Sequence, residues 1–139
     1  MRYVEVPAPI TLLDLDTKKP LKIQKVIDGK VVLADAEPTS AGTFALENLT
    51  PNLKGFKEYK SGERILRAFE KAEDLRAQGA TAVAEFEEED YKLLMRLIEG
   101  LQMNGYQGIQ YLPFMEALEA AKSEKPRALK SVDTEKKDA

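Results

Sequence analysis

Apolar residues follow two rhythms along this chain. In the N-terminal third they come in short runs broken by proline and glycine, and beyond about residue 60 they recur every three or four positions. The first rhythm predicts strands. Residues 3–6 and 10–13 are β-like but are interrupted by Pro7 and Pro9, which confine such segments to a sheet edge or an extended arm. The run LKIQKVIDGKVVLA places Leu21, Ile23 and Val26 before Asp28-Gly29 and Val31 to Leu33 after it, a β-hairpin signal because Asp-Gly tolerates positive φ. Residues 35–60 mix two prolines, two glycines and polar groups, so mostly loop is expected, with regular structure only around Phe44 to Leu49.

The second rhythm predicts three principal helices. Ser61 is placed to cap the first, whose Ile65, Ala68, Phe69, Ala72 and Leu75 share one face and whose end is marked by Gly79. A short strand over residues 82–86 follows. Glu87 to Asp90 then lead into a second helix striped by Tyr91, Leu94, Leu97, Ile98 and Leu101 and ending near Gly100. Residues 103–111 (MNGYQGIQY) read as a loop. Pro113 sits in a first helical turn, where no N–H is required, and opens a third helix carrying Phe114, Met115, Leu118 and Ala121 inward. The expected fold is therefore α+β, an N-terminal hairpin or small sheet followed by three helices with one intervening strand. Ile65, Phe69, Leu94, Leu97, Ile98 and Leu118 are its expected helical core. Residues 1–123 form the expected domain. Residues 124–139, rich in both charges and poor in large apolar groups, are expected to be a disordered tail.

Composition narrows the chemistry. The 139 residues contain no cysteine and no histidine, which removes disulfides, thiolate metal sites, Ser-His-Asp catalysis and the commonest general base near neutral pH. No enzyme, cofactor or metal is expected. A net charge of −3 supplies no global field toward phosphate or anionic lipid. The N-terminus lacks a charged flank with a long apolar run, and no segment reaches the roughly 20 apolar residues of a membrane span, so a cytoplasmic protein without a membrane partner is expected.

Three features invite a functional reading. Glu85, Glu87, Glu88, Glu89 and Asp90 resemble oxygen ligands for a hard cation, but consecutive helical residues diverge by about 100°, and acidic groups in a first turn are explained by the helix dipole. Lys57, Lys60, Arg64, Arg67 and Lys71 recur at three- and four-residue steps, a face able to track phosphates if the helix starts early. Glu63, Glu70 and Asp74 lie beside that stripe, and Glu63 with Arg67 has the order of a helical ion pair. The glycines of residues 104–111 lack the preceding strand and lysine-serine sequel of a phosphate loop, leaving Tyr106, Ile109 and Tyr111 for packing or contact.

Taken in order, RYVEVPAPITLLDLDTKKPL, ERILRAFEKAEDL, AVAEFEEEDYKLLMRLIEG and LPFMEALEAA resemble a group of small proteins encoded by tailed bacteriophages and prophages. The resemblance rests on packing and turn patterns and implies a small accessory protein of the host cytoplasm. Its implied work is binding another protein, a phage structural protein or a host protein, during capsid or tail building. The expected contact surface joins the N-terminal edge (Tyr3, Val4, Val6) to Tyr106 and Tyr111. The alternative expectation is a nucleic-acid-binding or transcription-regulating protein that works through Lys60, Arg64, Arg67 and Lys71.

Overall fold

The computed structural model describes residues 1–103 and 105–123. Its elements run β1 (Arg2–Glu5), β2 (Lys22–Ile27), β3 (Lys30–Asp35), α1 (Ala41–Asn48), α2 (Gly55–Ala77), β4 (Val83–Phe86), α3 (Glu88–Glu99), α4 (Gly105–Gln110) and α5 (Leu112–Glu119), with a 3-10 turn at Thr50–Asn52. The arrangement is α+β, as the two rhythms predict. Among the described residues the strands form two separate antiparallel pairs, β1 with β4 and β2 with β3.

The β1–β4 pair organises the core. Val4 faces Ala84 and Arg2 faces Phe86, and the Val6 N–H extends the ladder to the Ala82 carbonyl at 2.8 Å. That register puts Val4, Val6, Ala82, Ala84 and Phe86 on one face, and all five are buried. Helix α2 packs against this face, with Phe69 meeting Phe86 edge-on at 5.3 Å. A second aromatic group closes the far side of the core, where Phe44 of α1 lies 4.7 Å from Tyr111 and 5.6 Å from Phe114 of α5. Ile65, Phe69, Leu94, Leu97 and Leu118 are core residues as expected, while Ile98 packs at the rim.

Three local expectations change. Within residues 35–60 the regular structure expected around Phe44 to Leu49 is the helix α1, which starts earlier, at Ala41, and is capped by the Ser40 hydroxyl accepting from the Thr43 N–H at 3.1 Å. Gly42 there is a packing residue, because a Cβ on it would meet the Cβ of Phe69 at 3.3 Å. Helix α2 begins at Gly55 instead of after Ser61, with the Lys54 N–H donating to Glu58 at 2.9 Å. Its polar first turns gain support that the local pattern does not show: Glu58 also accepts from Arg96 of α3 at 2.8 Å, and Lys57 pairs with Glu89 at 3.3 Å. Ser61 is consequently buried in mid-helix and accepts from Arg64 at 3.0 Å. Finally, the loop expected before Pro113 contains α4. Gln110 at its end bonds both the N–H and the C=O of Leu13, at 2.7 and 3.1 Å, so a side-chain amide does the work of a strand partner.

The hairpin forms where expected. Asp28 and Gly29 take φ of 53° and 78°, the two positive values of a type I′ turn, and Ile27 faces Lys30 across it. The tail expected over residues 124–139 lies outside the described residues. No helix among the described residues is long and apolar enough to cross a membrane.

Phe69 lies where α2, β4 and α1 meet, so Phe69→Ala should cost about 3–5 kcal/mol. Urea unfolding followed by circular dichroism checks this; a loss under about 1 kcal/mol would remove Phe69 from the centre of the core.

Candidate protein-interaction surface

The residues expected to form the partner contact do not lie together on the surface. Val4 is only 1% exposed and Val6 is also buried, because both point into the face covered by α2. Tyr111 is 3% exposed and packs on Phe44 and Phe114. These three side chains are core. Tyr3 is half-buried, and its backbone exchanges hydrogen bonds with Lys122 at 2.8 and 3.0 Å, so a short return of the chain caps the β1 edge expected to be open. Tyr106 is half-buried on α4 with the Lys18 ammonium 4.7 Å from its ring centre.

The ribbon β2–β3 carries the apolar surface instead. Ile23, Val26, Ile27, Val31, Val32 and Leu33 are all exposed, with Val26 at 72% and Leu33 at 69%. Register explains why neither face is polar. Lys22/Asp35, Gln24/Leu33 and Val26/Val31 face one side, whereas Ile23/Ala34, Lys25/Val32 and Ile27/Lys30 face the other. Each side therefore carries apolar groups beside charged ones. The ribbon is tied to the body mainly at its base, where Leu21 N–H donates to the Leu12 carbonyl at 2.9 Å, and the ladder is extended by Ala36 N–H donating to Leu21 at 2.7 Å. The Leu21/Ala36 bond fixes the alternation of the ladder. Backbone groups of Lys22, Gln24 and Val26 on β2, and of Val31, Leu33 and Asp35 on β3, consequently point away from the ribbon.

The basic stripe does lie on one helix: Lys60, Arg64, Arg67 and Lys71 are all exposed along α2. Three of the four are engaged. Arg64 grips the Asp90 carboxylate with both arms at 2.8 Å, and this hydrogen bonding, despite partial desolvation, raises the guanidinium above its ordinary pKa. Asp90 is 2% exposed, so this contact is part of the α2–α3 packing. Arg67 pairs with Glu63 at 2.6 Å, and Lys60 lies over the Phe56 ring at 4.7 Å.

The acidic run diverges in the same way. Glu88 takes Arg2 at 2.9 and 3.0 Å, Glu89 takes Lys57, and Asp90 takes Arg64. Among the described residues no three Asp or Glu side chains converge to hold a metal ion. Hydrogen bonds from Arg2 hold the Glu88 carboxyl below its ordinary pKa, and the Lys54 N–H, helped by Arg96, does so for Glu58.

One groove, of about 600 Å3, runs between α2 and the edge of β4 that faces away from β1. Arg64, Arg67, Lys71 and Asp74 stand along one wall, Val83, Glu85 and Glu87 along the other, with Ala68 and Leu75 between. Because Val6 bonds Ala82, the backbone groups of Val83 and Glu85 point into this groove and away from β1. No protein-family model, no curated protein and no solved structure matches the chain.

Sequence reasoning could have found the ribbon surface. The run Val31-Val32-Leu33 is continuously apolar, and such a run belongs to a strand covered on both faces; in a two-stranded ribbon nothing within the described chain supplies either cover.

Two predictions separate structural from surface charge. Arg64→Ala strands a buried carboxylate and should cost about 1–3 kcal/mol, whereas Lys60→Ala and Lys71→Ala should each stay within about 0.5 kcal/mol; denaturant midpoints measure all three. Since the Glu88 and Glu58 pKa values are lowered by folding, their contribution is present above the ordinary glutamate range and is lost as pH falls through the lowered values. Stability measured across that acid range should therefore fall less steeply in Glu88→Gln than in the natural chain. An unchanged slope would show that the Arg2 pair contributes nothing.

Proposed function

We propose that this protein is a non-enzymatic protein-interaction module whose contact element is the β2–β3 ribbon. The observation that carries the reading is the set of six large apolar side chains exposed on a ribbon whose main packing, among the described residues, is between its own two strands. Contiguous apolar surface beside unpaired strand edges is costly in isolation and is stabilised when a partner covers it. In the setting given by the resemblance to tailed-phage proteins, that partner is a structural or host protein, and the role is that of an accessory or assembly factor for capsid or tail. The reading moves the contact from Val4, Val6 and Tyr111 to the ribbon. A nucleic-acid role through α2 has less support, since Arg64 and Arg67 are already paired with Asp90 and Glu63.

A photo-crosslinking residue at Val31, introduced into the full chain in producing cells, should yield a discrete protein adduct. The same residue at exposed Gln102 should not, and Leu33→Lys should abolish the Val31 adduct. The opposite outcome is binding to DNA or RNA tighter than roughly micromolar at about 0.15 M salt, with a steep salt slope lost on replacing Lys60, Arg67 and Lys71.

A further inference from the structure

Among the described residues, the outward edges of β2 and β4 lack a ladder partner and are complementary in character. One is the outward edge of β2, which presents the backbone groups of Lys22, Gln24 and Val26 on an exposed ribbon. The other is the groove edge of β4, which presents those of Val83 and Glu85 beside α2. We propose that the β2–β3 ribbon of one molecule docks in the α2–β4 groove of a second copy, adding β2 as a strand beside β4 and joining molecules head to tail. This rests on the ribbon being the contact element and adds its occupant.

Register and charge select β2 as the entering strand. Laid antiparallel on β4, β2 can set Lys22 opposite Glu87, Gln24 opposite Glu85 and Val26 opposite Val83. In the Gln24/Glu85 and Val26/Val83 pairs the backbone groups of both residues point into the new ladder, so they can exchange hydrogen bonds, whereas the Glu87 carbonyl already accepts from the Tyr91 N–H and ends the ladder there. Lys22, which also pairs with Asp35 of its own ribbon, then faces a carboxylate, and Val26, the most exposed aliphatic side chain of the ribbon, comes to lie beside Val83, which is itself buried. The alternate residues Ile23, Lys25 and Ile27 turn toward α2, Ile23 and Ile27 over the apolar strip of Ala68 and Leu75 and Lys25 between them. Entry by β3 is disfavoured, because it would set Asp35, in place of Lys22, directly beside the carboxylates of Glu85 and Glu87. Strand addition beside a helix is an established way of binding an extended segment: backbone bonds supply affinity and alternate side chains supply selectivity.

The two surfaces lie on different parts of the fold, so the contact is heterologous. Each molecule keeps a free ribbon at one end of the assembly and a free groove at the other, and growth continues until a ring closes or a partner caps it. Both docking elements survive in solution as part of a folded body, since the groove walls belong to α2 and β4 and the ribbon is closed by its own turn.

Sedimentation velocity on the full chain tests this, at concentrations up to on the order of 0.3 mM, where weak contacts associate. The natural chain should grow in mass with concentration. Val26→Pro, which removes an outward N–H from the ribbon, should stay monomeric, as should Val26→Lys. The groove variant carrying Glu85→Lys and Glu87→Lys should also stay monomeric. Circular dichroism establishes that each remains folded. Mixed in equal amounts, a ribbon variant and the groove variant retain one intact ribbon and one intact groove between them, so the mixture should reach twice the monomer mass and stop. A natural chain that is monomeric throughout overturns the proposal, while a Val31 adduct to a different protein would leave the functional reading standing. Self-association retained in the groove variant overturns it too, because that result places ribbon against ribbon.

Discussion

The contact between α2 and the two-stranded β1–β4 sheet is the constraint on which the rest of the molecule depends. Two strands cannot bury both faces, and a pair of strands alone is marginal in water. The 23-residue helix α2 covers one face, where Phe69 meets Phe86 and where Ala72 and Ala84 are fully enclosed. From that contact the other placements follow. Arg76 near the end of α2 donates to the carbonyls of Val6 and Pro7 at 2.7 and 2.9 Å, fixing where the N-terminal segment leaves the sheet. Arg2 reaches Glu88 and stacks on Tyr91 at 5.0 Å, and Tyr91 in turn donates to the Leu118 carbonyl, so α3 and α5 are tied to the first strand.

The same constraint leaves two edges behind. The backbone bridge from Tyr3 to Lys122 closes one side of the sheet, and the Arg2–Glu88 pair ties the first strand to α3. On the other side, among the described residues, β4 has a helix beside it but no strand, which makes a groove with outward backbone groups. The ribbon lies outside this arrangement. Its β-branched residues satisfy strand propensity and its Asp-Gly turn fixes its register, so local chemistry specifies the hairpin without specifying what covers it. A stable local element with uncovered apolar groups is the physical basis for assigning contact to β2–β3.

Most of the architecture is legible in the sequence wherever a periodic stripe coincides with the buried face. The second half of α2, β4, α3 and the hairpin are of this kind, because each presents its period over enough residues to be recognised. What was illegible depends on tertiary partners. Residues 41–48 carry little amphipathic pattern, and their helix is held by Phe44 in the aromatic group and by Gly42 against Phe69. The first turns of α2 are polar and are secured by Glu58 and Lys57 reaching α3. Tyr111 and Val4 look like contact residues in isolation, since an aromatic after two glycines and a valine beside prolines both read as surface. Only the pairing of β1 with β4, some 80 residues apart, shows that Val4 points inward. The basic stripe is correctly placed on one helix, yet the sequence does not disclose that Arg64 is committed to buried Asp90.

The central claim is that the body folds around α2 and the β1–β4 sheet while the ribbon stands apart as a surface element. Replacing residues 23–34 with a short glycine linker tests it most directly, with guanidinium unfolding followed by circular dichroism. Closing the loop differently changes chain entropy only slightly, so the shortened protein should unfold cooperatively and within about 1 kcal/mol of the natural chain. A loss of several kcal/mol, or a broad non-cooperative transition, would show that the ribbon belongs to the core and contradict the account.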